Sequence, residues 1–274
     1  MKTVESHPAM TQWADGLACR VRRGGPDALV FLHGLGASRD SFDPGFERKR
    51  LAGFTLASVD FPGFGDSPPI QGFSYTMEDL AELTAQWLER LDADWIHVVG
   101  HSMGGVVGLF LAERLGDRLG SFFNLEGNLG QEDGFFSRKI AAVPLDAFER
   151  HGVALFRKML RALVDRDPSP SMRSYMKDLE RADPRALHRS ASSLVRESEQ
   201  GNLRGRFVSL PAPKAYLSGE RSRDPGKAAF LEGLGIPCPV VPESGHFMMD
   251  DRPDLFWPML NRLLESFLAR KPDL

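Results

Sequence analysis

Cysteine is nearly absent from this chain. There are two, Cys19 and Cys238, in 274 residues. They are far apart and lack the spacing of metal ligands, so neither a disulfide framework nor a zinc site is expected. Long apolar runs are missing too. No stretch reaches the ~18 uncharged apolar residues that a membrane helix needs. The opening segment MKTVESHPAMTQWADG has no apolar core of the kind a secretory signal carries, so a cytoplasmic location is expected. Neither sign of charge dominates: 34 Lys and Arg stand against 37 Asp and Glu, a formal net charge of -3, and no nucleic-acid partner is indicated. No internal repeat, low-complexity tract, metal-ligand cluster or dinucleotide fingerprint is visible, so no cofactor is expected.

What is present reads as alternation. ALVFL (28–32), TLASVDF (55–61), WIHVVG (95–100), SFFNL (121–125), KAYL (214–217) and CPVV (238–241) are short apolar runs, several of them bounded by glycine. Such runs predict buried strands of a parallel sheet. Between them, 77–91, 106–115 and 255–268 carry apolar residues at helical spacing, and Thr76 with Asp79 forms a capping-box-like start. The expected fold class is α/β, a doubly wound and mostly parallel sheet.

The alternation stops between Gly130 and Phe207. That stretch has helical patterns and no convincing strand, with 145–164 amphipathic and prolines punctuating the rest. It predicts a helical cap (130–207) inserted into a core formed by 1–129 and 208–274. From Gln131 to Arg206 there are 15 basic against 11 acidic residues, so the expected cap is the basic part of an acidic chain. Solvated helix faces account for that imbalance without any partner.

Gly100-His101-Ser102-Met103-Gly104 is a Gly-x-Ser-x-Gly segment placed directly after a predicted strand and directly before a predicted helix. A sharp strand-to-helix turn strains its central residue and brings the chain close to itself, which requires small neighbours. The serine oxygen is then exposed above the sheet, over a helix N-terminus that favours negative charge. His33-Gly34-Leu35-Gly36 follows the ALVFL run. The amides of Leu35 and Met103 are the expected oxyanion hole. His33, Asp60 and Gly63 read as loop-building residues.

His33-Gly34, Asp60-Phe-Pro-Gly-Phe-Gly-Asp-Ser67, Gly100-His-Ser-Met-Gly-Gly105 and Ser244-Gly-His246 occur in the order found in the α/β-hydrolase superfamily, which the chain resembles over most of its length. The resemblance implies a catalytic histidine at His246, and histidine is the side chain whose ordinary titration suits a base at neutral pH. His97 lies within a strand, His101 beside the nucleophile on its turn, and His7, His151 and His188 in the tail or cap. For the third member the family's commonest position, Gly-x-x-Asp after KAYL, holds serine here: Gly219-Glu-Arg-Ser222. Some relatives carry the acid after the preceding strand, where this chain has Glu126. Glu126 is the preferred acid; Asp224 and Glu220 remain alternatives.

Serine as nucleophile argues against the haloalkane dehalogenases and epoxide hydrolases of the superfamily, which need aspartate. The expectation is hydrolysis of a small-molecule carboxylic ester through an acyl-enzyme. Lactonase, thioesterase, amidase, carbon–carbon bond hydrolase and perhydrolysis activities stay open on the same residues. An acyl-carrier protein as partner is permitted by the basic cap. A reading of another class is a non-catalytic ligand receptor on the same fold, which retention of Ser102 and His246 disfavours.

Overall fold

The computed structural model describes residues 10–14, 16–166 and 169–269. Its centre is an eight-stranded sheet: β1 (Met10–Ala14), β2 (Leu17–Arg22), β3 (Ala28–Leu32), β4 (Thr55–Val59), β5 (Ile96–His101), β6 (Leu119–Leu125), β7 (Lys214–Gly219) and β8 (Val240–Val241). The strands run in the order β1-β2-β4-β3-β5-β6-β7-β8. The pairings from β4 through β3, β5, β6 and β7 to β8 are parallel, while β1 with β2 and β2 with β4 are antiparallel.

The apolar runs are continuous because both faces of the sheet are covered. In β3, Ala28, Val30 and Leu32 point into one core and Leu29 and Phe31 into the other. In β6, Phe122 belongs to the first and Phe123 and Leu125 to the second. Buried on both sides, these strands lose the alternating pattern of half-exposed ones. Each fully buried aromatic of this kind contributes about 1.5–3 kcal/mol. The first core includes α1 (Met77–Leu88) and α2 (Met103–Leu115). Thr76 accepts the amide of Asp79 at 3.1 Å at the start of α1, as the sequence predicts.

The described residues between β6 and β7 are helical: α3 (Phe135–Ala141), α4 (Val153–Arg166), α5 (Pro170–Arg181), α6 (Pro184–Gln200) and α7 (Leu203–Ser209), with shorter turns between them. The predicted amphipathic stretch 145–164 is not one helix. It is a short turn, a wide turn over Phe148–Gly152 and then α4. After β7 come α8 (Pro225–Gly233) and, beyond the loop carrying His246, α9 (Pro253–Leu268), which packs on the second core. The strands β1 and β2 were not anticipated. Glycine at 16 with φ +78° turns the chain between them, and LACRVR carries two arginines that hide its core residues. Cys19 and Cys238 are both buried. Among the described residues no helix is long and apolar enough to cross a membrane.

Candidate active site

Ser102 stands between β5 and α2 with φ 53° and ψ -118°, a strained conformation for a residue with a Cβ. Packing holds it there. A Cβ on Gly100 would meet the carbonyl oxygen of Gly104 at 2.2 Å, and one on Gly104 would meet that of Leu32 at 2.2 Å. The turn is therefore pressed against itself and against the end of β3. The Ser102 amide bonds to Leu125 O at 3.0 Å and Ser102 O accepts from Gly105 N at 2.9 Å, so the strain is locked by neighbours.

The loop after β3 lies directly beside the serine, since a Cβ on Gly34 would sit 3.2 Å from the Ser102 Cβ. His33 anchors that loop. Its Nε2 accepts the amide of Phe61 at 3.0 Å, which leaves Nδ1–H to donate to Gly34 O at 2.8 Å. Burial holds its pKa down to about 4, so the ring is a neutral strut. Gly34 O and Leu35 N–H belong to one peptide plane, so this bond also orients the Leu35 amide. From α5, the Tyr175 hydroxyl donates to Leu35 O at 3.1 Å.

His246 and Glu126 meet across the ends of the sheet, with Nδ1 of the ring 2.7 Å from Oε2 of the carboxylate. Glu126 follows β6 in a turn with φ +49°. Its other oxygen accepts from Gly219 N at 2.8 Å and from Ser222 Oγ at 2.6 Å. Burial works to raise the Glu126 carboxyl, but the bonds from His246, Ser222 and Gly219 outweigh it and hold the group below its ordinary value. A carboxylate facing Nδ1 assigns the proton to Nδ1 and leaves Nε2 as a free base. Asn124 Oδ1 accepts the amide of Gly127 at 2.6 Å and so braces the same turn. Neither Ser222 nor Asn124 was singled out as a support for the acid. In sequence Ser222 stands where the family's commonest acid is absent, yet it bonds the carboxylate that follows the neighbouring strand.

The other two candidate acids are occupied elsewhere. Asp224 caps α8, accepting from Gly226 N at 2.9 Å and Lys227 N at 3.0 Å. Glu220 accepts the amide of Glu243 at 2.8 Å. His101 lies under the site, with its ring 4.7 Å from that of His246. Its Nε2 is 2.9 Å from His246 O and therefore carries the proton, while Nδ1 is buried and has no hydrogen-bond partner among the described residues. Burial, followed by the neighbouring His246, holds its pKa down to about 3, which keeps it neutral. Asp251 braces the histidine loop by accepting Gly245 N at 2.7 Å, and Ser171 of α5 donates to its other oxygen at 2.5 Å.

A cavity of about 660 Å³ opens above these groups, lined by Ser102, His246, Glu126, Gly34 and Leu35 from the sheet side. The helices between β6 and β7 supply the opposite wall, including Phe136, Ile140, Phe156, Leu160 and Leu194. Among the described residues no group of three or more His, Cys, Asp or Glu has the arrangement of a metal site.

The chain is 35% identical over 37% of its length to a pimeloyl-[acyl-carrier protein] methyl ester esterase of Neisseria meningitidis, covering 38% of that protein. It is also 35% identical over 39% of its length to the dihydrolipoyllysine-residue acetyltransferase component of the acetoin cleaving system of Cupriavidus necator, covering 29% of it. The chain thus spans well under half the length of these curated relatives. Among solved structures, a thermophilic esterase from Thermogutta terrifontis superposes with a TM-score of 0.77 at 20% identity, over 96% of this chain and 99% of that one, a likeness of fold. The family model for the alpha/beta hydrolase fold matches residues 27–253, and the chain belongs to that family.

Proposed function

We propose that this chain is a serine hydrolase that cleaves a carboxylic ester of a small molecule, with Ser102 as nucleophile, His246 as general base and Glu126 as the acid that orients it. The observation that carries the reading is the 2.7 Å contact between His246 Nδ1 and a Glu126 carboxylate, in a cavity that also exposes a strained serine at a helix N-terminus. In this reading Nε2 takes the Ser102 proton as Oγ attacks the acyl carbon. The amides of Leu35 and Met103 receive the oxyanion, and the imidazolium returns its proton to the leaving alcohol. A water activated by the same nitrogen then releases the acid and restores Ser102. The helices of 130–207 act as a cap that shapes the acyl and alcohol pockets, over a core made by 1–129 and 208–274. No cofactor enters this scheme, and we place the enzyme in the cytoplasm.

The test is Ser102→Ala assayed beside wild type on esters of graded acyl length. The variant is expected to lose about six orders of magnitude in kcat while its thermal unfolding stays within a few degrees of wild type. Hydrolysis by Ser102→Ala at near wild-type rates overturns the reading. A wild-type protein that binds esters without turnover returns it to a ligand receptor.

A carrier-linked acyl ester is a second reading, supported by the 15 basic against 11 acidic residues of Gln131–Arg206 and by the carrier-protein substrate in the name of one relative. It requires kcat/KM on a carrier-linked ester to fall steeply with salt while a free ester is little affected.

A further inference from the structure

One group on the cavity wall is buried and charged. The wall mixes apolar side chains with polar ones, and beside β7 and α8 the polar ones include Lys227, Tyr216 and Asp133. Lys227 lies in the first turn of α8, and its side chain is only 3% exposed. Its ammonium is paired with Oδ1 of Asp133 and stands 3.5 Å from the Tyr216 hydroxyl, at the limit of a hydrogen bond. The second oxygen of Asp133 is taken by the amides of Leu129 at 2.8 Å and Gly130 at 3.2 Å.

Counting donors leaves a surplus. The ammonium has three N–H groups and one firm acceptor. The Tyr216 hydroxyl cannot donate to an ammonium, and among the described residues Lys227 is its only hydrogen-bond partner. Burial, and after it the charges of Asp133, Glu126 and Asp224, hold the Tyr216 phenol well above its ordinary value, so it keeps its proton. Buried donors need acceptors, and both side chains line the cavity. The charge count selects among acceptors. Asp133 already neutralises Lys227, and Arg221 on the same cavity wall is paired with Asp251. Glu126 and Asp224 stand near Tyr216, so another carboxylate would meet cations already paired and anions close by.

We propose that Lys227 and Tyr216 bind a neutral oxygen acceptor, a keto, amide or second ester carbonyl, carried on the longer arm of the substrate, and so set specificity for oxygenated over plain alkyl chains. The inference rests on the ester-hydrolase reading of Ser102, whose pocket it completes. The apolar wall would pack the methylenes of that arm, and the buried donors would fix how deep it enters.

Two matched series test it: methyl 5-oxohexanoate against methyl hexanoate, and 5-oxohexyl acetate against hexyl acetate, each with homologues longer by one to three carbons. Monomethyl glutarate, which exchanges the terminal methyl of the first probe for a charged oxygen, tests the sign of the site. At one chain length of one series the oxo ester should exceed its plain partner in kcat/KM by about tenfold, mostly through KM. That ratio should fall towards one in Tyr216→Phe and in Lys227→Met. Equal rates throughout both series, a preference for monomethyl glutarate, or a ratio unchanged in Tyr216→Phe each overturn the proposal. Calorimetric titration of Ser102→Ala with the same pairs separates this inference from the hydrolase reading. Tighter binding of the oxo partner without turnover by wild type ends the hydrolase reading and upholds the site, whereas equal affinities end the proposal.

Discussion

Two carboxylates stand at the ends of parallel strands and meet opposite fates. Asp60 follows β4, and Glu126 follows β6, three places further along the sheet. Asp60 is fully buried, paired with the Arg39 guanidinium and bonded by the amides of Arg39 at 2.7 Å and Asp66 at 2.9 Å. Burial still outweighs these partners and pushes its pKa up to about 6. For Glu126 the partners win. The difference lies in what the loop must do. The Asp60 loop is closed around its charge, with Ser67 donating to Asp60 O at 2.7 Å, and neither residue is among those lining the cavity above Ser102. The Glu126 turn leaves its charge beside an imidazole at the cavity wall. The first carboxylate is part of the scaffold, and in the function proposed above the second serves the chemistry.

If that division is right, the two residues should fail in different assays. Glu126→Gln should lower kcat by about three to four orders of magnitude, because an amide can bond the ring but cannot stabilise the imidazolium and can hold the wrong tautomer. Its melting temperature should stay near wild type. Asp224→Asn, which touches a helix cap and not the histidine, should stay within about threefold of wild-type activity. Asp60→Asn should reverse the pattern. An amide there turns a donor towards Arg39, which keeps only its 2.7 Å bond to the half-exposed Asp66. Removing a charge that burial already disfavours offsets part of this cost, so about 1 kcal/mol of stability should be lost at pH 7. Denaturant unfolding measures this, and the protein that remains folded should keep most of its activity.

How much of this pair could be read in advance follows from the same contrast. Ser102 announces itself through local spacing, a glycine-flanked serine between a strand and a helix, and His246 through the family resemblance, which implies a histidine after the last strand. Glu126 needed a comparison of two strand ends, because the position after β7 holds Ser222. What stayed hidden is long-range. The bond from Ser222 to Glu126 spans 96 residues, that from Tyr175 to Leu35 140 residues and that from Ser171 to Asp251 80 residues. No periodicity encodes such contacts. The strand β2 is hidden in the sequence for another reason. LACRVR buries Arg22 against the carbonyls of Phe46 and Leu51, so a charged residue occupies a place where the pattern asks for an apolar one.

A third carboxylate extends the comparison to burial among like charges. Asp250 sits beside the histidine loop, and burial, together with Asp251 and Asp178, pushes its pKa up to about 7 from an ordinary 3.8. The folded chain therefore holds a proton that the unfolded chain releases between those values. The stabilisation is fully present below pH 3.8 and is lost as pH rises through about 7. Asp250→Asn removes the titration. The variant should gain on the order of 2 kcal/mol over wild type at pH 8, and the gain should shrink as pH falls towards 4. Melting temperatures of the two proteins across that range check the sign. A constant difference would mean that Asp250 titrates normally.

The smallest effect belongs to the residue that most narrows the contrast between the two strand ends. Ser222 donates to Glu126 Oε1 at 2.6 Å from an exposed loop, while Gly219 N, at 2.8 Å on the same oxygen, is fixed by the backbone. Ser222→Ala leaves the backbone donor and the histidine contact in place and lets water approach the vacated side. Hydrogen bonds to charged groups contribute about 1.5–3 kcal/mol when buried, and exposure should cut this to about 1 kcal/mol. A loss of about fivefold in kcat with KM little changed is expected, because the hydroxyl acts through the carboxylate and not on the substrate. Ser222→Thr keeps the donor and should recover most of the activity. A loss in Ser222→Ala as large as that of Glu126→Gln would mean that the serine does more than steady the acid. No loss at all would mean that the Gly219 amide alone holds Glu126 against the ring.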